Sequence, residues 1–337
     1  MQAIILAGGY GTRLAPVTYT IPKPLLPLLN KPMIEYIINS LPKDSEIIIA
    51  SNYKNSKIKK YFEEKGMGVI INKENKPLGT GGAVKNAEKY IDGKFIVINS
   101  DIISSLNIRK MIRYHEKKKS FITISLWKVD NVEEFGVVDL LRDGKIKKFI
   151  EKPARHEAPS QLINAGTYCM EYDVLDYIEK GKFVSMEKEI FPKVIEEGRG
   201  FYGYLFDGYW TDVGKRESYL EATKFLLKRK SLSYLYGENC NIEGLVKYST
   251  IGNNCSIGKN SIVNESIIYE DCIIGKNVEI ENSIIAKKCI IKDGVKLKNV
   301  IAGEKEEIKR STRDAKIWSK PLPRGYPKEQ VGNPCRK

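Results

Sequence analysis

The chain has 337 residues, 42% of them hydrophobic and 29% charged, with a formal net charge of +14 at pH 7. That length exceeds one ordinary core and predicts two domains plus a tail, and no apolar run reaches the roughly 20 residues of a membrane-spanning helix. Lys and Arg are dispersed among Glu and Asp, a heat-adapted pattern that suits polyanionic substrates better than a specific nucleic-acid partner. Met1 leads almost directly into a short apolar run without a basic region or cleavage site, so a cytoplasmic location is expected, with no membrane partner.

Through residue 230, short β-branched runs alternate with amphipathic segments, the signature of an α/β sheet with helices on its faces. Strands are expected over 3–6, 46–50, 69–72, 95–99 and 121–127. Shorter extended runs at 137–141, 146–150 and 162–170 predict added antiparallel strands, and helices return over 186–197 and 216–229. Phosphate sites in such sheets lie at the C-terminal ends of the strands.

The first strand runs into Gly8-Gly9-Tyr10-Gly11-Thr12-Arg13, and Pro22-Lys23-Pro24 follows shortly after. Glycines let backbone N–H groups close on a polyphosphate, while Arg13 and Lys23 add charge-assisted hydrogen bonds. A tight βα turn alone accounts for the glycines. The dinucleotide fingerprint fails because Leu14 stands where its third Gly belongs, and a Walker A loop lacks its Gly-Lys-Ser/Thr ending.

From Tyr234 onward the helical period disappears, and inward positions 234, 240, 246, 251 and onward to 297, spaced 6, 6 and 5, are nearly all aliphatic, a 17-residue unit seen in Ile251, Ile268 and Ile285. Gly follows the inward residue at Gly252, Gly258 and Gly275. Each coil buries its inward residues only by stacking on the next, which predicts a short hexapeptide β-helix over 231–303. Cys255, Cys272 and Cys289 share the 17-residue spacing, with Val278, Ile284 and Val295 at matching positions, so they are expected to stack inward as small hydrophobes. Parallel thiols do not converge as a metal site requires, and a disulfide between two rungs leaves the third over. Residues 304–337, charged and carrying Pro321, Pro323, Pro327 and Pro334, read as an extended or disordered basic tail.

The run Leu6-Ala7-Gly8-Gly9-Tyr10-Gly11-Thr12-Arg13-Leu14-Ala15-Pro16-Val17-Thr18, then Ile21-Pro22-Lys23-Pro24 and Asn30-Lys31-Pro32-Met33, resembles the sugar-1-phosphate nucleotidylyltransferase family. The resemblance continues in order through Pro77-Leu78-Gly79-Thr80-Gly81-Gly82, Asn99-Ser100-Asp101, Phe135-Gly136-Val137-Val138, Glu151-Lys152-Pro153, Asn164-Ala165-Gly166, Glu187-Lys188-Glu189-Ile190-Phe191-Pro192 and Trp210-Thr211-Asp212-Val213-Gly214. It implies a Rossmann-like mixed-sheet catalytic domain over 1–230, followed by a left-handed parallel β-helix that serves as an assembly module for a homo-oligomer.

The family's reaction joins a nucleoside triphosphate to a sugar-1-phosphate and releases pyrophosphate. By the same resemblance, Leu6, Ala7, Gly8, Gly9 and Gly11 hold the nucleotide and Thr12 and Arg13 grip the departing pyrophosphate. Lys23 bridges phosphates. Asp101 and Asp212 hold Mg2+, Glu151 and Asn164 bind sugar hydroxyls, Gly136 admits the sugar to the backbone, and Lys152 neutralises the sugar phosphate. Taken singly, each Asp reads as a turn or cap and Glu151-Lys152 as a surface charge pair.

The base is expected against Gly79, with Glu74 beside it. Family members that use thymine or uracil tend to carry Gln there, whereas a carboxylate only accepts and suits the adjacent N1–H and N2–H donors of guanine. Asn99-Ser100-Asp101 and Met186-Glu187-Lys188-Glu189 also resemble mannose-1-phosphate guanylyltransferases. GTP with mannose-1-phosphate, giving GDP-mannose, is the expected pair; thymidylyl or uridylyl transfer to glucose-1-phosphate is the alternative, and a solvated Glu74 is the bland one. A silent nucleotide-sugar-sensing subunit would have lost some of Arg13, Lys23, Asp101, Lys152 and Asp212, and all five are present. An acetyl-transferring β-helix needs a His base, but His115 and His156 both precede it and are expected on the surface. The basic tail has no base-reading module beside it.

Overall fold

The computed structural model describes residues 1–323, 326 and 327. It divides into two compact units, Met1–Gly9 with Ile34–Thr211, and Tyr10–Met33 with Asp212–Lys337. These cut across the sequence boundary drawn at 230. The reason is side-chain packing that sequence spacing does not reveal: Asn30 Nδ2 donates to Ile251 O at 2.7 Å, and the Tyr219 hydroxyl meets that of Tyr269 at 3.1 Å.

The first unit is built on a nine-stranded mixed sheet. Its main path runs Ile146–Glu151, Gly136–Leu140, Leu162–Met170, Phe95–Asn99, Gln2–Leu6, Glu46–Ser51, Ile70–Lys73; Ile122–Lys128 branches beside Leu162–Met170 and carries Phe201–Leu205. Gln2–Leu6 pairs in parallel with both Glu46–Ser51 and Phe95–Asn99, so Ala3, Ile4 and Ile5 are wholly buried and the strand is apolar on both faces. The expected antiparallel additions are present, with Leu162–Met170 antiparallel to Phe95–Asn99. The helix expected over 186–197 is divided: a π turn, Met186–Ile190, precedes the α-helix Phe191–Glu196. Pro192 lacks the N–H that an uninterrupted α ladder would need there. His115 is not a surface residue. It is 1% exposed, with Nδ1 at 2.9 Å from Thr123 Oγ1 and Nε2 at 3.0 Å from Glu171 Oε1, the latter 56 residues along the chain. His156 is exposed as expected.

In the second unit, Tyr10–Met33 folds into three short 3-10 turns, Thr12–Leu14, Val17–Tyr19 and Lys23–Leu25, and a two-residue-stranded hairpin. The helix Arg216–Arg229 then leads to a β-helix of three parallel sheets. Its middle coils keep the 17-residue register, as in Ile257 opposite Ile274 opposite Ile291. Corner residues Asn254, Asp271, Asn260 and Asn277 have φ of 57°, 61°, 60° and 55°, a left-handed backbone that Asn and Asp tolerate. A Cβ on Gly258 would come within 2.7 Å of the Gly275 carbonyl carbon on the next coil, which explains why the residue after the inward Ile is glycine.

Cys255, Cys272 and Cys289 are buried and unbridged, and each thiol lies 3.0–3.2 Å from a carbonyl of the following coil, those of Tyr269, Ala286 and Gly303. The β-helix does not stop at 303. Strands continue to Lys316–Ile317, and the last coil is shorter by two residues, with Leu297 opposite Thr312 and Ala302 opposite Ile317. That break in the 17-residue period hides the coil from a periodicity reading. Nor is the start of the tail a disordered arm: Trp318 and Tyr326 are 8% and 4% exposed. Residues 324–325 and 328–337 of the expected tail, Pro334 included, lie outside the described residues.

The alternation of faces gives a stability test. Ile274 is 2% exposed and its neighbour Ile273 is 52% exposed. Ile274→Ala is expected to lower unfolding free energy by about 2–5 kcal/mol in denaturant titration, and Ile273→Ala by no more than about 0.5 kcal/mol.

Candidate active site

The first unit gathers its candidate residues at the C-terminal ends of the parallel strands. Ala7 N donates to Ala50 O at 2.8 Å, Glu74 N to Ser51 O at 3.0 Å, and Ser100 N to Leu6 O at 3.1 Å, so Leu6–Gly9, Glu74 and Asp101 leave adjacent strand ends together. Glu74 is 4% exposed, not a solvated loop carboxylate, and its Oε1 makes no hydrogen bond. That oxygen lies 3.5 Å from where a Cβ on Gly8 would sit. Burial pushes the Glu74 carboxyl up to about 7, partly opposed by a backbone hydrogen bond from Leu78. Gly79 opens the helix Gly79–Asn86 with φ of 72°, and a Cβ there would be 2.5 Å from Val184 O. Gly81 and Gly82 both donate to that same carbonyl, at 2.9 and 3.2 Å, so the glycines of this turn admit the Val184 backbone.

A second cluster forms in the same unit. Gly136 and Glu151 are opposite one another in the antiparallel ladder, and a Cβ on Gly136 would lie 2.9 Å from Glu151 Oε2. Lys152, with φ of 50°, extends its Nζ to 3.9 Å from Glu151 Oε1 and is largely exposed. Burial raises the Glu151 carboxyl, Glu187 adds to that, and Lys152 and Lys188 oppose it. Asn164 donates through Nδ2 to the Tyr168 hydroxyl at 2.9 Å and accepts from Gly166 N at 3.0 Å. Three residues that sequence reasoning gave no role join this cluster. Glu187 accepts from Thr80 Oγ1 at 2.6 Å, and buried Tyr168 underlies Asn164. The quoted motifs contained Thr80 and Glu187, but no spacing rule links positions 107 residues apart.

The second unit holds the remaining candidates. Thr12 and Arg13 occupy the first 3-10 turn, after Gly11 with φ of 66°. Buried Lys23 runs past Gly11, its Cβ 3.5 Å from where a Gly11 Cβ would be. A Cβ on Gly214 would stand 2.5 Å from Arg13 Nη2 and 2.9 Å from Asp212 Oδ1. The bare Gly214 therefore makes room for a guanidinium and a carboxylate at once, a role its motif alone did not disclose.

Strand-end glycines, buried Lys23, exposed Arg13 and Lys152, and separate carboxylate clusters stand in a chain that belongs to the nucleotidyl transferase family, whose pattern matches residues 2–229. Residues 235–317 match the GMPPB C-terminal domain. The chain is 36% identical over 277 residues to a mannose-1-phosphate guanyltransferase of Aspergillus oryzae, covering 76% of this chain and 74% of that one. It is 37% identical to the Candida albicans protein of the same name, covering 73% of each. Among solved structures, HddC from Yersinia pseudotuberculosis is 33% identical with a TM-score of 0.57, covering 67% of this chain and 99% of that one. HddC has also been crystallised complexed with GMP-PN.

No helix among the described residues is long and apolar enough to cross a membrane.

Proposed function

We propose that this nucleotidyl transferase joins GTP to mannose-1-phosphate, giving GDP-mannose and pyrophosphate. The observation that carries guanine is Glu74: a buried carboxyl with an unpartnered oxygen beside Gly8 suits a base edge with two adjacent N–H donors. Relatives named as mannose-1-phosphate guanyltransferases support the same base and sugar, and the GMP-PN complex of HddC supports the base.

The attacking group is an oxygen of the sugar phosphate. It needs no general base, because the second ionisation of a phosphate monoester lies near ~6. It attacks the α-phosphorus of GTP, and the bond to the β-phosphate bridging oxygen breaks. Catalysis then consists of aligning two polyanions and offsetting their repulsion. Backbone at Leu6, Ala7, Gly8, Gly9 and Gly11 holds the nucleotide, with the base against the Gly79 turn. Thr12 and Arg13 hold the departing pyrophosphate and Lys23 contacts the phosphates under attack. Glu151 and Asn164 fix sugar hydroxyls, Gly136 lets the ring approach the strand, and Lys152, exposed and adjustable, meets the sugar phosphate.

Asp101 and Asp212 would hold magnesium. Their hard oxygens suit it, since magnesium takes one or two carboxylates together with phosphate oxygens and water. Among the described residues no group of three or more His, Cys, Asp or Glu is arranged for a metal. When bound, the ion neutralises phosphate charge.

The catalytic segment is residues 1–230, and the β-helix beginning at 231 assembles a homo-oligomer. Equilibrium titration tests the base assignment: GDP-mannose is expected to bind at least about tenfold more tightly than dTDP-glucose or UDP-glucose. Equal or reversed affinities would overturn it.

A further inference from the structure

The 3-10 turns that carry Arg13 and Lys23 are covered by residues from the far end of the chain. Tyr326 is 4% exposed and its ring meets Tyr19 edge to face at 4.7 Å between centroids and Tyr10 at 5.9 Å. Trp318 meets the same Tyr19 ring at 5.2 Å. Trp318 also lies directly over Gly303, where a Cβ would collide with its six-membered ring, and its Nε1 donates to Pro321 O at 3.4 Å. The chain from the last β-helix strand thus passes over the phosphate-binding turns through two aromatic anchors, both in the same compact unit as those turns.

A hydrogen-bond relay leads inward from this cover. Thr18, wholly buried, donates its hydroxyl proton to Gly11 O at 2.9 Å. Its single proton is committed there, so the Tyr326 hydroxyl, 3.2 Å away, is the donor to Thr18 Oγ1. Burial pushes the Tyr326 hydroxyl up to about 12, which keeps that proton in place at neutral pH. Gly11 is the left-handed residue that starts the Thr12–Leu14 turn, and Thr18 Cγ2 would be only 2.8 Å from any Cβ on it. The relay therefore fixes the backbone two residues before Arg13, while the Trp318–Tyr19–Tyr326 stack fixes the turn that leads to Lys23.

We infer that Trp318 and Tyr326 form a C-terminal strap whose function is to pre-order the nucleotide-binding turns, making both aromatic residues positioning residues for the nucleotide and not for the sugar phosphate. The inference rests on the proposed reaction for its substrates, but the strap itself is a statement about the turns. It assigns a role to the tail, which composition alone marks only as basic and proline-containing. Short 3-10 turns have poor hydrogen-bond geometry and little intrinsic persistence. A loop that must hold a triphosphate at the moment of transfer benefits from being ordered beforehand, because ordering on binding subtracts from affinity.

The test uses the full-length chain with Tyr326→Phe, Tyr326→Ala and Trp318→Ala, assayed well below each variant's melting temperature. In Tyr326→Ala, amide exchange over residues 10–22 is expected to accelerate about tenfold, and KM for GTP and for pyrophosphate in the reverse direction to rise about tenfold. KM for the sugar phosphate is expected to stay within twofold of wild type (~2-fold). Tyr326→Phe keeps the ring contacts and loses the relay, so it is expected to fall between wild type and alanine. Wild-type exchange and wild-type nucleotide KM in Tyr326→Ala would overturn the proposal. So would equal increases in both substrate KM values, the sign of general damage. If the chain turned over none of these substrates, the reaction assignment would fail while the exchange measurement still decided whether the strap orders the turns.

Discussion

Gly214→Ala is expected to lower kcat/KM by about 100-fold while leaving the melting temperature within a few degrees of wild type. The added methyl group would stand 2.5 Å from Arg13 Nη2 and 2.9 Å from Asp212 Oδ1, closer than carbon normally comes to either. Arg13 is exposed, and its guanidinium is the far end of a flexible side chain, so the fold accommodates the methyl group by letting Arg13 swing away. That movement costs little stability. It costs function, because the cation loses its place beside Asp212, and a misplacement of about 1 Å in a charge-aligning site is worth about two orders of magnitude. Steady-state kinetics with circular-dichroism melts separate the two effects. Unchanged kinetics in a folded Gly214→Ala protein would show that Arg13 and Asp212 do not act in the positions they occupy.

Glu74→Gln is expected to reduce kcat/KM for GTP by about 10–100-fold and to shift the ratio of GTP to dTTP use in favour of thymine, since a charge-assisted bond to each guanine donor is replaced by a mixed donor and acceptor. An unchanged ratio would remove the guanine argument. The same substitution has a pH signature. A carboxyl held at about 7 in the folded chain, against 4.5 as its ordinary value, favours folding fully below about 4.5, and that contribution disappears as pH rises through about 7. The shift corresponds to roughly 3 kcal/mol across that window. Denaturant titrations should therefore show the wild-type chain losing stability relative to Glu74→Gln between pH 4.5 and 8. Nucleotide binding should show the opposite trend, with KM for GTP rising as pH falls below about 7 and the acceptor oxygen takes a proton.

What could be read from the sequence followed from regular spacing and contiguous motifs. The strands at 95–99 and 162–170 and the helix Arg216–Arg229 appear where the alternation of apolar residues puts them. The 17-residue step located the inward Ile and Cys ladders because every middle coil obeys it. It failed at the first and last coils, where Tyr234 faces Ser249 and Leu297 faces Thr312 across two fewer residues, and Tyr234 is 45% exposed instead of inward. Other misses share one cause, a partner far along the chain. His115 meets Glu171 across 56 residues, Glu187 is held by Thr80, and Tyr326 reaches Thr18 across 308 residues. Glu74 was expected to face the base from its place three residues before Pro77, but its burial follows from the strand end it occupies and has no local sequence signal.

A pyrophosphate-release matrix tests the GTP and mannose-1-phosphate reaction most directly. GTP, dTTP, UTP, CTP and ATP would each be paired with mannose-, glucose- and N-acetylglucosamine-1-phosphate, with and without magnesium. Release is expected to be fastest for GTP with mannose-1-phosphate and to depend on magnesium. No release from any pair would contradict the enzyme, and a maximum with dTTP or UTP and glucose-1-phosphate would contradict the base and sugar assigned through Glu74.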